Sequence, residues 1–147
     1  MASDTLYITC NKGILNYMNF SMNNAFWARL LIAILFVYAG YGKLMEFSGF
    51  VSGALEPKFG ALATIVGVLV VFIEIVVALA FVIGYKIKWT AWILLGFTAI
   101  ATILYHNPWA GPEFNGGNLL LALKNIAIMG GIWSALQVVA HNHTHHS

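Results

Sequence analysis

Four long apolar segments constrain the fold of this chain more than any other feature. They run from Phe26 to Met45, from Ala61 to Gly84, from Trp89 to Tyr105 and from Asn118 to Ala140. Each is close to the ~20 residues that an α-helix needs to cross ~30 Å of hydrocarbon. None alternates apolar and polar residues as the strands of a membrane β-barrel do. The sequence therefore predicts an all-α integral membrane protein with four transmembrane helices.

The composition supports a membrane protein and excludes several other classes. Hydrophobic residues make up 61 % of the 147 residues and charged residues 8 %, whereas soluble domains carry roughly 25 % charged residues. A soluble domain of this size could not hide so much apolar surface, so the lipid bilayer is the expected surrounding partner. The net charge of +2 and the lack of a basic run give no support for a nucleic-acid partner. Cys10 is the single cysteine, which excludes an internal disulfide and a CxxC pair.

The connections between the segments predict how the helices are arranged. The turn GYKIKW and the loop HNPWAGPEFNGGN are short, and a stretch from Glu46 to Gly60 with Pro57 and three glycines is expected to be the longest loop. Short connections make neighbouring helices antiparallel, so we expect an up-down-up-down bundle. Three regions follow: a polar N-terminal segment, 1–25, that lacks a signal-peptide layout and is retained; the membrane domain, 26–140; and a His-rich tail, 141–147.

The distribution of Lys and Arg predicts the orientation. An even number of spans puts both termini on one side, which then carries Lys12, Arg29, Lys86 and Lys88. The opposite side carries Lys43 and Lys58. Because cytoplasmic loops are enriched in basic residues, we expect both termini in the cytoplasm.

Glu74 lies within the apolar run VGVLVVFIEIVVALAFVIG, where a carboxylate is costly unless it is paired, protonated or hydrated. It stands ten residues before the cytoplasmic end of its segment, which corresponds to a depth of about 15 Å. Arg29 enters the first segment from the same side, and a hairpin places these two helices together. We expect an Arg29–Glu74 ion pair, which either holds two helices together or takes part in function.

A second set of polar residues falls near the opposite membrane surface. Lys43 ends the first segment, His106 follows the third, and Lys124 and Asn125 lie one to two turns inside the fourth. A lysine at that depth is expected to face the bundle rather than lipid. These four residues are candidates for binding an anionic or quinone-like head group. A closed structural ion pair, with His106 as an ordinary helix-end residue, is the alternative interpretation.

Motifs for other chemistry are absent from the sequence. No span carries a second His at i+4, so no metal or haem site is expected within the spans. The tail HNHTHHS is interpreted as a flexible solvated tail, with weak binding of a divalent metal as the alternative. There is no phosphate-binding Gly loop, GxSxG or dinucleotide fingerprint. We therefore expect no intrinsic cofactor, and no catalytic residue can be named.

The order of these features resembles the DoxX family of small four-helix membrane proteins. The resemblance rests on ARLLIAILFVYAGYGKLMEFSGF, Glu74 followed by VIGYKIK, YHNPW, and NLLLALKNIAIMGG. It spans about residues 28–136 and implies a bacterial-type inner membrane and a link to quinone-dependent oxidoreductase systems. The positions that match the family pattern are Arg29, Gly40, Lys43, Glu74, His106, Lys124 and Asn125.

Three functions are compatible with these observations. The favoured one is a redox-linked subunit that binds quinone, or a lipid, near the outer polar residues, since His and Lys donate hydrogen bonds and relay protons. The second is a non-catalytic accessory subunit of a larger respiratory or transport complex, with partner membrane subunits or further copies of the chain around it. The third is a small transporter or lipid-binding protein that uses the buried charges.

Overall fold

The computed structural model describes residues 25–109, 111 and 113–144, which form helices and contain no strand. Four helical segments are long and apolar enough to cross a membrane: Ala25–Met45, Phe47–Val82, Ile87–Tyr105 and Gly116–Gln137. The predicted all-α class with four spans is therefore confirmed. We number the helices α1 (Ala25–Met45), α2 (47–59), α3 (63–82), α4 (Ile87–Tyr105) and α5 (Gly116–Thr144).

The three predicted regions are only partly covered by the described residues. Residues 1–24 of the N-terminal segment and 145–147 of the tail lie outside them. Helix α5 continues to Thr144, so the first four residues of the predicted tail are helical. The division of the chain into these regions stays a prediction.

The stretch from Glu46 to Gly60 was expected to be a loop, and the structure shows a helix there instead. Helix α2 combines Phe47–Phe50, a π-helical turn at Val51–Leu55, and Glu56–Phe59. Its apolar residues recur at helical spacing and form one stripe: Phe47, Phe50, Val51, Leu55 and Phe59. Glycines and a proline had suggested a loop, but this stripe packs on a neighbouring helix and outweighs them.

Helix α2 folds back on the start of α3. A Cβ placed on Gly67 would lie 3.1 Å from Val51 and 3.2 Å from Leu55. In a continuous helix Leu55 and Gly67 would be about 18 Å apart, so the chain must reverse between them. The reversal occurs at Gly60, whose φ of 52° belongs to the left-handed region that glycine tolerates. A short 3₁₀ turn, Gly60–Leu62, then leads into α3.

The two other connections are fixed by local hydrogen bonds. At the end of α3, the Tyr85 amide donates to Ala80 O at 3.0 Å and the Gly84 amide to Phe81 O at 3.2 Å. This is a Schellman motif, with Gly84 at a φ of 77°. Before α5, Asn115 Oδ1 accepts the Asn118 amide at 3.0 Å and caps the helix.

The interior of the bundle is divided into layers along the helices. An apolar core near the α3–α4 turn contains the fully buried Phe81, Leu94 and Ile132. At the other end, a smaller cluster joins Val51 and Leu55 of α2 to Ala63 of α3. Large apolar side chains are exposed on every long helix, among them Leu31, Ile65, Ile100, Ile103 and Leu120. Such an outer surface is stable in lipid and not in water.

Helices α1 and α3 approach most closely at Gly40. A Cβ on Gly40 would lie 2.8 Å from Ile75 Cγ1 and 2.9 Å from Glu74 Cβ, which is closer than real Cβ contacts come. Small residues at such crossings let membrane helices touch backbone to side chain. Gly42, on the same helix, has no atom of another described helix within 4 Å of its Cβ position.

We predict that Gly40→Ala and Gly42→Ala change stability in opposite directions. Gly42→Ala should leave thermal stability in mild detergent unchanged or raise it by up to about 1 kcal/mol, because alanine favours the helix. Gly40→Ala should lower it by about 1–3 kcal/mol through overpacking against Glu74 and Ile75. Equal effects of the two substitutions would contradict the close approach at Gly40.

Candidate functional site

Lys43 and Glu74 form an ion pair between α1 and α3. The Lys43 ammonium donates hydrogen bonds to Glu74 Oε1 at 2.8 Å and to Oε2 at 2.7 Å. The Glu74 side chain is 7 % exposed and that of Lys43 27 % exposed. Glu74 stands in a π-helical turn, Ile73–Val77, a local widening of the helix that is common at functional sites. The pair satisfies a carboxylate that would otherwise be very costly inside a bilayer.

The expected Arg29–Glu74 pair is corrected by the structure. The Arg29 guanidinium lies beside Gly84, with Nη1 3.0 Å from the Cβ position of that glycine. Gly84 is ten residues beyond Glu74, which separates the two groups by about 15 Å along α3. Arg29 therefore lies beside the turn between α3 and α4. The partner of Glu74 is Lys43.

The direction of the lysine side chain explains why the sequence did not reveal this partner. Lys43 stands near the end of α1 and was placed at the membrane surface. Its Nζ lies 3.5 Å from Ala39 O, one turn back along the same helix. Helical side chains lean towards the N-terminus, so the ammonium sits deeper than its Cα. The spacing of Gly40 and Lys43 on one helix face was the signal that could have found the pair.

The ion pair lines a cavity of about 150 Å³ that is partly open to the outside. All four candidate ligand residues also line it, namely Lys43, His106, Lys124 and Asn125. The remaining lining residues come from α1, α4 and α5: Leu35, Phe36, Ala39, Phe97, Thr98, Ala101 and Ile128. The sequence analysis placed Glu74 deep in the membrane and these four residues near its surface, but the structure brings all five to one cavity. Arg29 does not line it.

His106 enters the cavity from the end of α4. Its backbone amide donates to Thr102 O at 2.9 Å, which fixes the residue to the last helical turn. Its ring Nδ1 is buried and has no hydrogen-bond partner within the part of the chain that the structure describes. Burial, followed by the charges of Lys124 and Lys43, lowers the pKa of His106 below its ordinary value. The ring is therefore neutral at neutral pH.

Asn125 is held in place by two threonines that the sequence analysis did not single out. Its Nδ2 donates to Thr102 Oγ1 at 2.9 Å, joining α5 to α4. The Thr102 hydroxyl in turn donates to Thr98 O at 2.7 Å. Asn125 and Thr98 are buried. Threonines in a helix often bond to their own backbone, so the sequence gives no sign that Thr98 and Thr102 have another role. The signal is the position of Asn125, which lies opposite Thr102 on the neighbouring helix.

Lys124 brings a second ammonium to the cavity. It lies eight residues into α5, about 12 Å from the start of the helix. Among the residues that the structure describes, it has no hydrogen-bond or ion-pair partner. Its charge acts on His106, as does that of Lys43. Since the Glu74 carboxylate is already occupied by Lys43, the open donors of the cavity are Lys124, His106 and Asn125.

The arrangement favours a ligand that accepts hydrogen bonds. The described residues include no group of three or more His, Cys, Asp or Glu side chains that could hold a metal ion. Phe36 and Phe97, whose ring centroids are 6.4 Å apart, provide apolar walls. A small molecule with carbonyl or ionised oxygens and a flat apolar body fits these surroundings.

Comparison with known proteins agrees with this picture. The DoxX family model matches residues 25–107, more than half of the chain. The chain belongs to the DoxX family. The match extends from α1 to the cavity residue His106 and leaves α5, with Lys124 and Asn125, outside it.

A relative of this DoxX-family chain is the inner membrane protein YqjF of Escherichia coli strain K12. The two are 33 % identical over 107 residues, which cover 71 % of this chain and 75 % of YqjF. No solved structure gives a significant match. The family and the four apolar helices together identify an integral membrane protein.

We predict that the Lys43–Glu74 pair couples strongly in a double-mutant cycle. Lys43→Met should destabilise the protein by about 3–5 kcal/mol, because it leaves the buried Glu74 carboxylate without its partner. Glu74→Gln should destabilise it less, because the Lys43 side chain that it leaves is 27 % exposed. The double variant should lose less than the sum of the two. Thermal unfolding in mild detergent measures all three.

Arg29 supplies the matched control for this cycle. Combining Arg29→Met with Glu74→Gln should give additive losses, since the two sites are more than 10 Å apart and share no partner. Additivity for Lys43 with Glu74, or coupling for Arg29 with Glu74, would overturn the assignment of the pair.

Stability should also fall on mild acidification because of His106. Its pKa is lower in the folded protein than in the unfolded chain, so between these two values the unfolded chain binds more protons. Stability is then fully present above pH ~6.5 and decreases as pH falls through the folded pKa. We predict a smaller decrease in the melting temperature for His106→Gln than for the parent, measured without residues 141–147 to remove the tail histidines. Equal decreases would contradict this role.

Proposed function

We propose that this DoxX-family protein resides in a bacterial-type inner membrane and binds the head group of a quinone in the cavity at Lys43, His106, Lys124 and Asn125. It would act as a subunit of a quinone-linked redox system. The observation that supports the proposal most directly is that α1, α3, α4 and α5 all contribute side chains to the lining of this one cavity, together with His106 at the end of α4. The inner membrane is also the location in the name of the E. coli relative.

The size of the cavity suits a single ring. At about 150 Å³ it equals the roughly 150 Å³ engineered cavity that binds benzene in another protein. A quinone ring would lie against Phe36 and Phe97, and its isoprenoid tail would extend through the open side into lipid. A flavin or a nucleotide is much larger than this space. The fit therefore favours a quinone head group over the larger redox cofactors.

The polar groups match the chemistry of a quinone. Quinone carbonyls accept hydrogen bonds, and Lys124 and the Asn125 amide donate them. A neutral His106 can either donate to a carbonyl or take a proton from a quinol. Electrons would come from a partner subunit or from a reduced substrate, because the chain carries one cysteine and no dinucleotide motif. A lipid head group at the same donors is the related possibility.

A non-catalytic accessory subunit is the second candidate. Gly96 of α4 and Gly130 of α5 are exposed, and no atom of another described residue lies within 4 Å of their Cβ positions. Exposed glycines on apolar helices allow another membrane helix to approach closely. The partner in that case is a subunit of a larger membrane complex or a second copy of this chain, and the polar cavity is structural.

Mass spectrometry of the protein purified in mild detergent tests both candidates. We predict that quinone co-purifies with the parent and with Lys88→Met, whose lysine lies at the opposite end of α4. Lys124→Met should fold normally and lose most of the quinone, at least tenfold, since it removes an open donor of the cavity. A stoichiometric partner protein without quinone would instead support the accessory subunit.

A further inference from the structure

We infer that the cavity selects an aromatic ring that carries one ionised oxygen, such as a phenolate or the deprotonated form of a hydroxyquinone, over a neutral ring. The inference rests on the proposed function, since it specifies which form of a ring ligand the same cavity takes. Three independent features lead to it: the charge balance of the lining, the unused hydrogen-bond donors, and the apolar walls.

The described lining carries one positive charge in excess. Lys43 and Glu74 neutralise each other at 2.7 Å, and His106 is neutral at neutral pH. Lys124 then remains, without an anionic partner among the described residues. An ammonium about one to two turns inside a membrane helix is costly unless an anion or water compensates it. A ligand with a single negative charge restores neutrality, whereas a dianion would leave the cavity negative.

The hydrogen-bonding groups point in the same direction. Two acceptors near the cavity are already used: Glu74 receives two bonds from Lys43, and the Thr102 hydroxyl accepts from Asn125. Among the described residues, the Lys124 ammonium and the buried His106 Nδ1 have no hydrogen-bond partner. A buried polar atom without a partner destabilises the protein. An oxyanion accepts several hydrogen bonds at once and forms stronger ones than a neutral carbonyl does.

The walls specify that the anion is attached to a ring. Leu35, Phe36, Phe97 and Ile128 enclose the remaining space, and an inorganic anion would leave these apolar surfaces in contact with water. A flat ring fills the space against the two phenylalanines. Lys124 is exposed and the cavity is partly open. A ring seated against the walls displaces water beside the ammonium, which strengthens the attraction between Lys124 and the ionised oxygen.

The test compares two probes that share a ring. 4-Nitrophenolate carries one ionised oxygen, and 4-nitroanisole is its neutral methyl ether. Binding of each to lipid-depleted protein in an uncharged detergent is followed by absorbance at pH ~8.5, about two units above the ordinary histidine pKa, where His106 is neutral. We expect the phenolate to bind at least tenfold more tightly than the ether.

Matched variants assign the preference to the cavity. Lys124→Met should reduce binding of the phenolate at least tenfold and that of the ether by a much smaller factor, so that the preference is lost, whereas Lys124→Arg should keep the preference. Lys88→Met should behave as the parent and also reports uptake of the probes by micelles. Retention of the full preference in Lys124→Met would overturn the inference.

The remaining outcomes separate this inference from the proposed function. Equal affinity of the parent for both probes would overturn the anion preference while ring binding remains. Binding of neither probe would contradict the ring-binding cavity itself. Displacement of the phenolate by inorganic phosphate or by phosphatidylglycerol vesicles, at concentrations equal to its own, would assign the site to a free or lipid phosphate and overturn the inference.

Discussion

The ion pair of Lys43 and Glu74 is the interaction on which the middle of the bundle depends. A carboxylate in the centre of an apolar span must be neutralised, and the 2.7 Å contact with Lys43 does this. The contact requires α1 and α3 to approach closely, and Gly40 allows that approach directly beside Glu74. Charge neutralisation and helix packing therefore require the same alignment of α1 along α3.

That alignment also determines where the cavity lies. The lysine side chain extends back along α1 towards Ala39, so the space beside it is bordered by Phe36 and Leu35 rather than by the membrane surface. On the other side, the contact between Asn125 and Thr102 holds α5 against α4. The cavity is thus bounded by two separate polar contacts, one for each helix pair, and apolar packing fills the layers above and below it.

The sequence was sufficient for the spans and insufficient for the partners. Four apolar runs predict four helices because hydrocarbon requires a hydrogen-bonded backbone. Helix α2 was missed because its glycines and Pro57 resemble a loop, while its apolar stripe is useful only against Gly67 of α3. Lys43 was separated from Glu74 because depth was counted at the Cα, and a lysine side chain moves its charge by a full turn. The grouping of Lys43, His106, Lys124 and Asn125 was predicted from depth alone, and the structure brings these residues to one cavity.

The polar residues around the cavity indicate what it could bind better than its volume does. A void lined by apolar side chains loses dispersion energy and offers nothing to a polar ligand. Here the void adjoins an ammonium, an imidazole nitrogen and an amide. Among the described residues the buried imidazole nitrogen has no hydrogen-bond partner, which disfavours an empty space beside it. Closing the helices around these groups would bury Lys124 against Lys43 and bring two like charges together. A structural ion pair needs only Lys43 and Glu74. An accessory role does not explain why a second lysine, Lys124, also lines the cavity. A bound ligand that accepts a hydrogen bond from Lys124 would explain it.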